Sequence, residues 1–315
     1  MLYGKYLFSS VFEDNAILPP YKGSSFRGVF GIALKKVVCA LRKQDCKDCL
    51  LREKCVYSFV FETPAARDEP GDRKRVASPP HPYVIEPSDT KRISFKEGEP
   101  FDFFLLLFGK ANDYLPYFIY AFEQMGKLGI GKKIDGKRAR FLLKKVICNG
   151  KLAYSGETGK ITTDKCTEEL QIENFMPDDL ANVHRIDISL KTPLRLKFQN
   201  RLEADLPFHI LTRAMLRRVY SLQNYYGSGE PSLDYRGIVD RAKTVETVNS
   251  SLRWFDWERY SNKQDQSMLM GGIVGEVSYS GDLTEFMPFV RFCEKVHIGK
   301  QTSFGLGKIE ITGIY

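Results

Sequence analysis

The stretch HIGKQTSFGLGKIEI, from His297 to Ile311, determines the fold predicted for this chain. Glycines at 299, 305 and 307 lie in a polar, basic segment, and apolar and polar residues alternate from Lys308 to Thr312. Glycine adopts positive φ without steric cost and lets backbone approach a ligand closely. The exposed N–H groups of such a loop can bind an anion. The stretch therefore predicts a basic glycine loop that leads into a half-buried final strand, with an ordinary turn as the alternative.

A second copy of this pattern occurs in the first half of the chain. Three pairs of segments match in the same order: 26–37 with 208–219, 114–122 with 286–293, and 129–132 with 305–308. The first pair aligns without gaps and ends in Leu, two basic residues and Val. The second pair is aromatic with a proline, and the third reads GIGK and GLGK. Because three features match in one order, we interpret the chain as an internal duplication.

Each half of the chain predicts the order β-α-β-β-α-β of a split βαβ, ferredoxin-like domain. The predicted class is therefore α+β, with tandem ferredoxin-like (RRM-like) domains at residues 1–180 and 181–315 and the carboxy-terminal glycine loop at 297–308. A cysteine-rich insertion at 39–55 interrupts the first domain. Residues 57–62 are apolar enough for a strand. Residues 63–80 are rich in Pro, Asp, Arg and Gly without periodicity, which predicts a mobile insertion.

The composition favours a partner that is a polyanion. The chain has 315 residues, a formal net charge of +8 and an isoelectric point near 9.0. Such a charge favours association with nucleic acid but says nothing about fold. We find neither an apolar run long enough to span a bilayer nor a signal-peptide pattern, so we expect a cytoplasmic protein without a membrane partner. No Walker loop, G-x-S-x-G or H-E-x-x-H motif occurs, so no nucleotide cofactor is predicted.

Four of the seven cysteines are close together in sequence, at Cys39, Cys46, Cys49 and Cys55. Charged residues surround them, and free cysteines of a core have apolar neighbours instead. Tetrahedral thiolate sites that bind zinc are commonly built around a C-x2-C knuckle. We predict a structural zinc site, with Cys39 as the least certain ligand, because it can still belong to the preceding helix. An iron–sulfur cluster uses the same ligands and stays open.

Several segments resemble the CRISPR-associated RAMP proteins. The segments are LPPYKGSSFRGVFGIAL (18–34), FDFFLLLFG (101–109), GKLGIGKKIDGKRARF (126–141), FHILTRAMLRRVYSL (208–222) and HIGKQTSFGLGKIEI (297–311). They are most similar to the endoribonucleases that cut precursor CRISPR RNA within its repeats to give mature guide RNA. The resemblance implies tandem ferredoxin-like domains, a glycine loop on the RNA backbone, and cleavage by 2′-OH attack without a catalytic metal. It also implies CRISPR repeat RNA as a partner, and CRISPR effector or adaptation proteins as further partners.

The histidines depart from the pattern of this family. Many members have a catalytic histidine beside the first helix, but the four histidines here are His81, His184, His209 and His297. His209, in the first turn of a helix, and His297, beside the glycine loop, are the candidates for proton transfer, and Lys300 is the candidate for charge stabilisation. The structural alternative for both histidines is a packed side chain. His81, between prolines, is expected on the surface.

Phosphate contacts are predicted from the basic residues and glycines of the duplicated segments. The predicted RNA-binding residues are Arg27, Lys132, Lys133, Arg138, Arg213, Arg217, Arg218, Gly299, Gly305 and Gly307. Tyr21, Lys22 and Arg27 form an alternative site without a histidine. A further alternative is a RAMP subunit that does not cleave RNA and holds the repeat-derived tag in an effector complex.

Overall fold

The chain folds into two compact units. The computed structural model describes residues 1–42, 44–63, 79–88, 92–162, 166–175, 182–196, 204–261 and 266–315. The first unit consists of Leu2–Glu169, and the second of Met1 with Leu170–Tyr315. The boundary between units lies at Glu169, whereas the sequence predicts it near residue 180. The mobile insertion predicted at 63–80 lies outside the described residues except at its ends.

The first unit is built from one main sheet and two helices. Its helices are α1 (Gly23–Val38) and α2 (Leu115–Leu128). Its strands are β1 (Leu2–Phe12), β2 (Ala16–Ile17), β3 (Tyr83–Pro87), β4 (Ser94–Phe95), β5 (Pro100–Phe108), β6 (Ile130–Ile134), β7 (Lys137–Ala139), β8 (Phe141–Cys148), β9 (Lys151–Ser155), β10 (Lys160–Ile161) and β11 (Glu168–Glu169). The main sheet has the order β10-β9-β8-β1-β5-β3, with β11 paired to β1, and its strands are antiparallel.

The order β8-β1-β5-β3 is that of a ferredoxin-like sheet. In chain order these are the fourth, first, third and second strands, with α1 after the first and α2 after the third. Phenylalanines hold the helices to the sheet. Phe30 of α1 stacks on Phe122 of α2 at 4.6 Å between ring centroids, and Phe122 contacts Phe8 of β1 at 4.9 Å and Phe103 of β5 at 4.8 Å. Aromatic pairs at such distances add stabilisation beyond their buried area.

Residues 57–62 are helical, so the strand predicted there is wrong. Ser58–Glu62 form a π-helical turn, with Ser58 and Val60 buried. A short apolar run of this length fits either a buried strand or a buried helical segment, and periodicity does not separate the two. Turns of this kind occur frequently at functional sites.

The second unit repeats the same topology. Its helices are α3 (Phe208–Tyr226), α4 (Tyr235–Arg241) and α5 (Met287–Val296). Its strands are β12 (Arg185–Leu194), β13 (Glu246–Ser250), β14 (Arg253–Ser261), β15 (Gln266–Ser280) and β16 (Ile309–Ile314). The sheet order is β13-β15-β12-β16, with β14 also paired to β15. Read from β16 and counted without β14, these are the fourth, first, third and second strands of the unit, which is again the ferredoxin-like order. The predicted tandem ferredoxin-like fold is therefore confirmed.

The duplicated segments occupy equivalent elements of the two units. Segments 26–37 and 208–219 lie on α1 and α3. The two aromatic segments lead into α2 and α5, and each helix has a proline in its first turn, where the missing N–H costs no hydrogen bond. Among the described residues, no helix combines the length and the apolar character needed to cross a membrane.

Candidate functional site

The described histidine that lies beside the first helix is His81, just before β3. The Nη2 group of Arg27 on α1 donates a hydrogen bond to Nε2 of His81 at 2.9 Å. The Nδ1 group of His81 donates to the carbonyl oxygen of Val60, in the π-helical turn, at 3.1 Å. Both side chains are half-buried. The structure therefore places an imidazole and a guanidinium together at the surface of α1.

These two hydrogen bonds define the tautomer of His81. A carbonyl oxygen only accepts and a guanidinium only donates, so Nδ1 carries the proton and Nε2 presents its lone pair. A proton on Nε2 would place two donors against each other beside a permanent cation. The contact with Arg27 thus favours neutral His81, which is the form that can act as a base.

Aromatic rings position the guanidinium of Arg27. Its Cζ lies 5.1 Å from the centroid of the Phe61 ring, and stacking on an aromatic face favours a cation. Tyr83, two residues after His81, is fully buried. Burial raises the pKa of Tyr83 to about 12, although the charge and hydrogen-bonding capacity of Arg27 act in the opposite direction. Tyr83 is therefore a neutral phenol at physiological pH.

Lys22 and Tyr21 precede α1. Lys22 is only 2% exposed, and burial lowers the pKa of its ammonium group. Burial raises the pKa of Tyr21 well above its usual value, and the nearby Glu86 carboxylate acts in the same direction. The structure places Tyr21 and Lys22 directly before α1, the helix that carries Arg27. The site without a histidine stays a prediction, and His81 joins Arg27 beside this helix.

Sequence reasoning missed His81 because its flanking prolines indicate a surface loop. The contact with Arg27 joins residues 54 positions apart. The HPYVIEP segment (81–87) could have indicated this position, because a strand that follows a long insertion must return to the sheet beside α1.

His209 lies where the sequence predicts it, in the first turn of α3. It is half-buried, and Arg213 follows one turn later with its side chain exposed. Burial lowers the pKa of His209, and the cations of Arg213 and Lys243 lower it further, while Asp205 opposes them. The structure thus adds Lys243 to the predicted pair. A neutral imidazole beside two cations is a second arrangement that suits a phosphodiester.

His297 is not available to a bound phosphate. It is 0% exposed, and its ring Nδ1 lies 3.0 Å from the carbonyl oxygen of Leu306. Its φ of 58° makes it the residue that ends α5 and begins the glycine loop. The imidazole joins the two ends of the loop inside the protein, which favours the packed alternative, and the catalytic role of His297 stays an untested prediction.

The glycine loop directs much of its backbone inward. Residues 302–307 are buried. The N–H groups of Gly307 and Gly305 donate to Pro193 and Thr302, and that of Lys300 donates to Arg195. A Cβ on Gly307, at φ +73°, would lie 1.7 Å from the oxygen of Ile298. Gly307 is therefore required by close packing against backbone, and Gly305 by its positive φ of 83°. Their contact with phosphate stays a prediction.

The exposed side chain of this loop is that of Lys300, while Gly299 is half-buried. A Cβ on Gly299, at φ +84°, would approach the oxygen of Arg195 to 2.7 Å. Lys300 thus stays available to a ligand, and Gly299 holds the loop against the end of β12.

The glycine segment of the first unit forms a hairpin, β6–β7, in place of a loop. Asp135 and Gly136, both with positive φ, form its turn, as in type I′ hairpins. Lys132 and Lys133 are exposed on β6, and Arg138 is half-buried on β7. The predicted basic surface therefore lies on a hairpin.

The two arginines at the end of the duplicated segment of α3 differ in environment. Arg217 is exposed, one turn after Arg213. Arg218 is only 6% exposed and donates to the carbonyl oxygen of Val296 from Nε at 3.3 Å and from Nη2 at 2.7 Å. Burial lowers the pKa of Arg218 to about 10. Its guanidinium satisfies the end of α5 inside the second unit, which gives Arg218 a structural role, and its RNA contact stays an untested prediction.

The four clustered cysteines are free and half-buried. Burial raises the pKa of the Cys46 thiol, and Lys35 acts in the opposite direction. Within the described residues, which include all four cysteines, no group of three or more His, Cys, Asp or Glu side chains is arranged to hold a metal ion. The zinc site stays a prediction.

Two protein-family models match the chain. A family of N-terminal domains, AF_1859_N, matches residues 1–167, which is more than half of the chain. The CRISPR-associated endoribonuclease Cas6 family matches residues 188–309. The chain therefore belongs to the family that the N-terminal match defines, and its residues 188–309 are of the Cas6 endoribonuclease family. The Cas6 match includes His209, Lys243 and the glycine loop, whereas Arg27 and His81 lie in the N-terminal match.

Individual proteins are similar to the chain over most of its length. An uncharacterized protein of Archaeoglobus fulgidus is 26% identical over 309 residues, covering 93% of this chain and 92% of that protein. Thermus thermophilus Cas6 (TTHB231) in its product complex matches with a TM-score of 0.55 at 14% identity, over 98% of this chain and 99% of that one. A chain of the partial Cas6-RT-Cas1–Cas2 complex matches with a TM-score of 0.58 at 12% identity, over 100% of this chain and 46% of that one. At such identities the structural likeness shows the fold.

Proposed function

We propose that the chain is an endoribonuclease that cleaves precursor CRISPR RNA within its repeats by 2′-OH attack, without a catalytic metal ion, at the Arg27–His81 pair. The observation that carries the proposal is the 2.9 Å hydrogen bond from Arg27 to the Nε2 lone pair of His81, beside the first helix. Family membership supports RNA as the substrate, and the formal charge of +8 supports binding of a polyanion.

The chemistry follows from the donors and acceptors of this pair. When RNA binds, the guanidinium of Arg27 moves from Nε2 to an oxygen of the scissile phosphate, with which it forms charge-assisted hydrogen bonds. Nε2 of His81 is then free to take the proton of the 2′-OH, and the hydroxyl oxygen attacks the phosphorus. Arg27 balances the charge that develops on the phosphorane. The products are a 2′,3′-cyclic phosphate and a 5′-hydroxyl.

We propose that bound RNA uncovers Lys22, which is only 2% exposed in the unbound chain, and that its ammonium group then protonates the leaving 5′-oxygen. This lysine lies directly before α1, and its burial lowers its pKa, so that it gives up a proton more readily than an exposed lysine does. Lys22→Met keeps the length of the side chain and removes the proton. We expect this change to slow cleavage without weakening RNA binding.

His209 is the second candidate for the base, with Arg213 and Lys300 as cations. The specific observation in its favour is its lowered pKa beside Arg213 and Lys243, which keeps the imidazole neutral at physiological pH. This location in the second unit is an alternative for the same reaction.

The test is single-turnover cleavage of a repeat RNA at saturating enzyme in EDTA, where differences in affinity have no effect. Loss of a general base costs about 10²- to 10⁴-fold in rate. We expect a loss in this range for His81→Ala and a large loss for Arg27→Ala. His184→Ala is the matched control, because His184 is exposed and the hydrogen bonds described for it use its backbone.

Three results would change the proposal. Cleavage by His81→Ala within about threefold of the parent, far inside the loss expected for a general base, would exclude the Arg27–His81 site. A large loss in His209→Ala alone would move the reaction to the second unit. If the parent leaves repeat RNA intact with and without added metal, the chain is instead a non-cleaving RAMP subunit that binds the repeat-derived tag in an effector complex.

A further inference from the structure

One edge of the second unit carries a pair of stacked aromatic rings. Phe255 and Trp257 lie two residues apart on β14, with 6.1 Å between ring centroids and 25° between ring planes. The side chain of Phe255 is 39% exposed, and Trp257 is half-buried. The two rings together form a small aromatic surface on β14.

The register of the hairpin places Phe255 opposite a glycine. Phe255 pairs with Gly272 of β15, and residues directly opposite each other share a face of the sheet. A Cβ on Gly272 would lie 2.9 Å from Cβ of Pro193 on β12, so Pro193 fills the cross-strand position on this face. With Pro193 in that place, Phe255 is still 39% exposed.

The opposite face of the same strand carries Trp254 and Asp256. Trp254 donates from Nε1 to Asp256 at 2.7 Å. A Cβ on Gly271 would meet the Trp254 ring at 2.5 Å, so the indole lies directly over that glycine. Trp254 is half-buried and its N–H is bound by the exposed Asp256, whereas Phe255 presents an aromatic ring to solvent.

Cationic side chains lie on β14 and next to the hairpin that it forms with β15. Arg253, exposed, lies two residues before Phe255 and shares its face by the alternation of a strand. Arg195 donates from Nη1 to the carbonyl oxygen of Gly271 at 3.0 Å, and its own carbonyl oxygen accepts from Lys300 at 2.9 Å. The aromatic pair is thus continuous with the end of β12 and with the exposed lysine of the glycine loop.

We propose that Phe255 and Trp257 form a stacking platform for unpaired RNA bases, with Arg253, Arg195 and Lys300 holding the adjoining phosphates. Exposed aromatic rings beside a cationic track are the arrangement that binds single strands, since every base has a face that can stack. The platform rests on the proposed function in that RNA is the partner. It adds that unpaired bases of that RNA are bound by the second unit.

The chain is well suited to a test by fluorescence, because its two tryptophans, Trp254 and Trp257, both lie on β14. Trp254→Phe keeps an aromatic ring over Gly271 and leaves Trp257 as the sole indole. Titration of this variant with a short single-stranded oligoadenylate should quench Trp257, while a duplex RNA of equal length should not. Anisotropy of labelled oligoadenylate measures binding in the same samples.

Phe255→Ala in the same background should weaken binding of the single strand by about 5- to 150-fold, the range for loss of one stacked base. Phe255→Tyr keeps the ring and should bind as the parent does. Bound oligoadenylate without quenching of Trp257, or equal affinity of Phe255→Ala and Phe255→Tyr, would overturn the platform while leaving cleavage at His81 untouched. Quenching in a chain that does not cleave would overturn the proposed activity alone. A change of oligomeric state in Phe255→Ala with unaltered RNA binding would make this face an interface between copies and would also overturn the platform.

Discussion

Two glycines of the hairpin β6–β7 allow a packing role and a ligand-binding role to be tested separately. Gly131 and Gly136 have almost the same backbone conformation, with φ of +84° and +79°. A Cβ on Gly131 would lie 2.4 Å from the oxygen of Ile17 and 2.9 Å from Cδ2 of Leu18, whereas a Cβ on Gly136 would have no atom within 4 Å. Replacement of either glycine by alanine therefore has the same conformational cost, but only the Cβ at position 131 clashes with its neighbours.

The expected losses follow from these geometries. A left-handed conformation costs a non-glycine residue about 1–2 kcal/mol, which is the whole effect expected for Gly136→Ala. Contact with the backbone of Ile17 adds about 1–3 kcal/mol, as overpacking does elsewhere, so Gly131→Ala should lose about 2–5 kcal/mol. In melting temperature this corresponds to about 2–8 °C for Gly136→Ala and about 4–20 °C for Gly131→Ala in a unit of this size.

Urea unfolding followed by circular dichroism gives the free energy of unfolding of both variants, and anisotropy with repeat RNA gives their affinity while folded. We expect unequal stability and similar RNA affinity, because Lys132 and Lys133 are unchanged in both variants. Equal stability of the two variants would refute the packing explanation. Loss of RNA affinity in Gly131→Ala at parental stability would restore the interpretation of GIGK as a loop that contacts phosphate.

Arg218→Met should lower the free energy of unfolding by about 1–3 kcal/mol, because it leaves the buried carbonyl oxygen of Val296 without its donor. The RNA affinity of the folded protein should not change. A large loss of affinity at parental stability would contradict the buried role of Arg218. Removal of Lys132 and Lys133 together should weaken RNA binding and reduce the slope of log affinity against log salt by about 1.4, since each phosphate contact to a single strand contributes about 0.7. An unchanged slope would show that RNA does not contact this hairpin. If zinc binds the clustered cysteines, elemental analysis of protein purified without chelator should find one equivalent, and Cys49→Ala should lose both the metal and thermal stability. Absence of metal in the parent would end that prediction.

The fold could be predicted because its signals are local and repeated. The apolar period of α1 and α3, the proline at the start of α2 and α5, and the apolar run of β5 each specify an element within a dozen residues. Duplication then supplied the topology, since two copies of the same element order point to the same domain twice. None of these signals depends on which distant residues come together.

The site was predictable only in part, because burial and long-range contacts decide it. His297 and Arg218 carry the right chemistry at the right places in sequence, but the fold encloses both. His81 has an unremarkable neighbourhood in sequence and becomes a candidate base only through Arg27 and Val60. Glycines are ambiguous for a related reason: positive φ is required equally by a loop that binds phosphate and by one that packs against backbone, and the neighbours that decide are remote in sequence.

The equivalent positions of Arg27 and His209 on the duplicated helices have an evolutionary consequence. Each helix carries one member of a guanidinium–imidazole combination within its first five residues. The other member is His81, just before β3, for α1, and Arg213, in the next turn, for α3. After a duplication, the helix of either copy can carry the arginine or the histidine, as long as the other residue is supplied from a neighbouring position. Descendants of such a domain would then differ in the sequence position of the reactive residue and agree in its location on the fold. Relatives at the low identities found here are therefore better compared by position along the first helix than by column in an alignment.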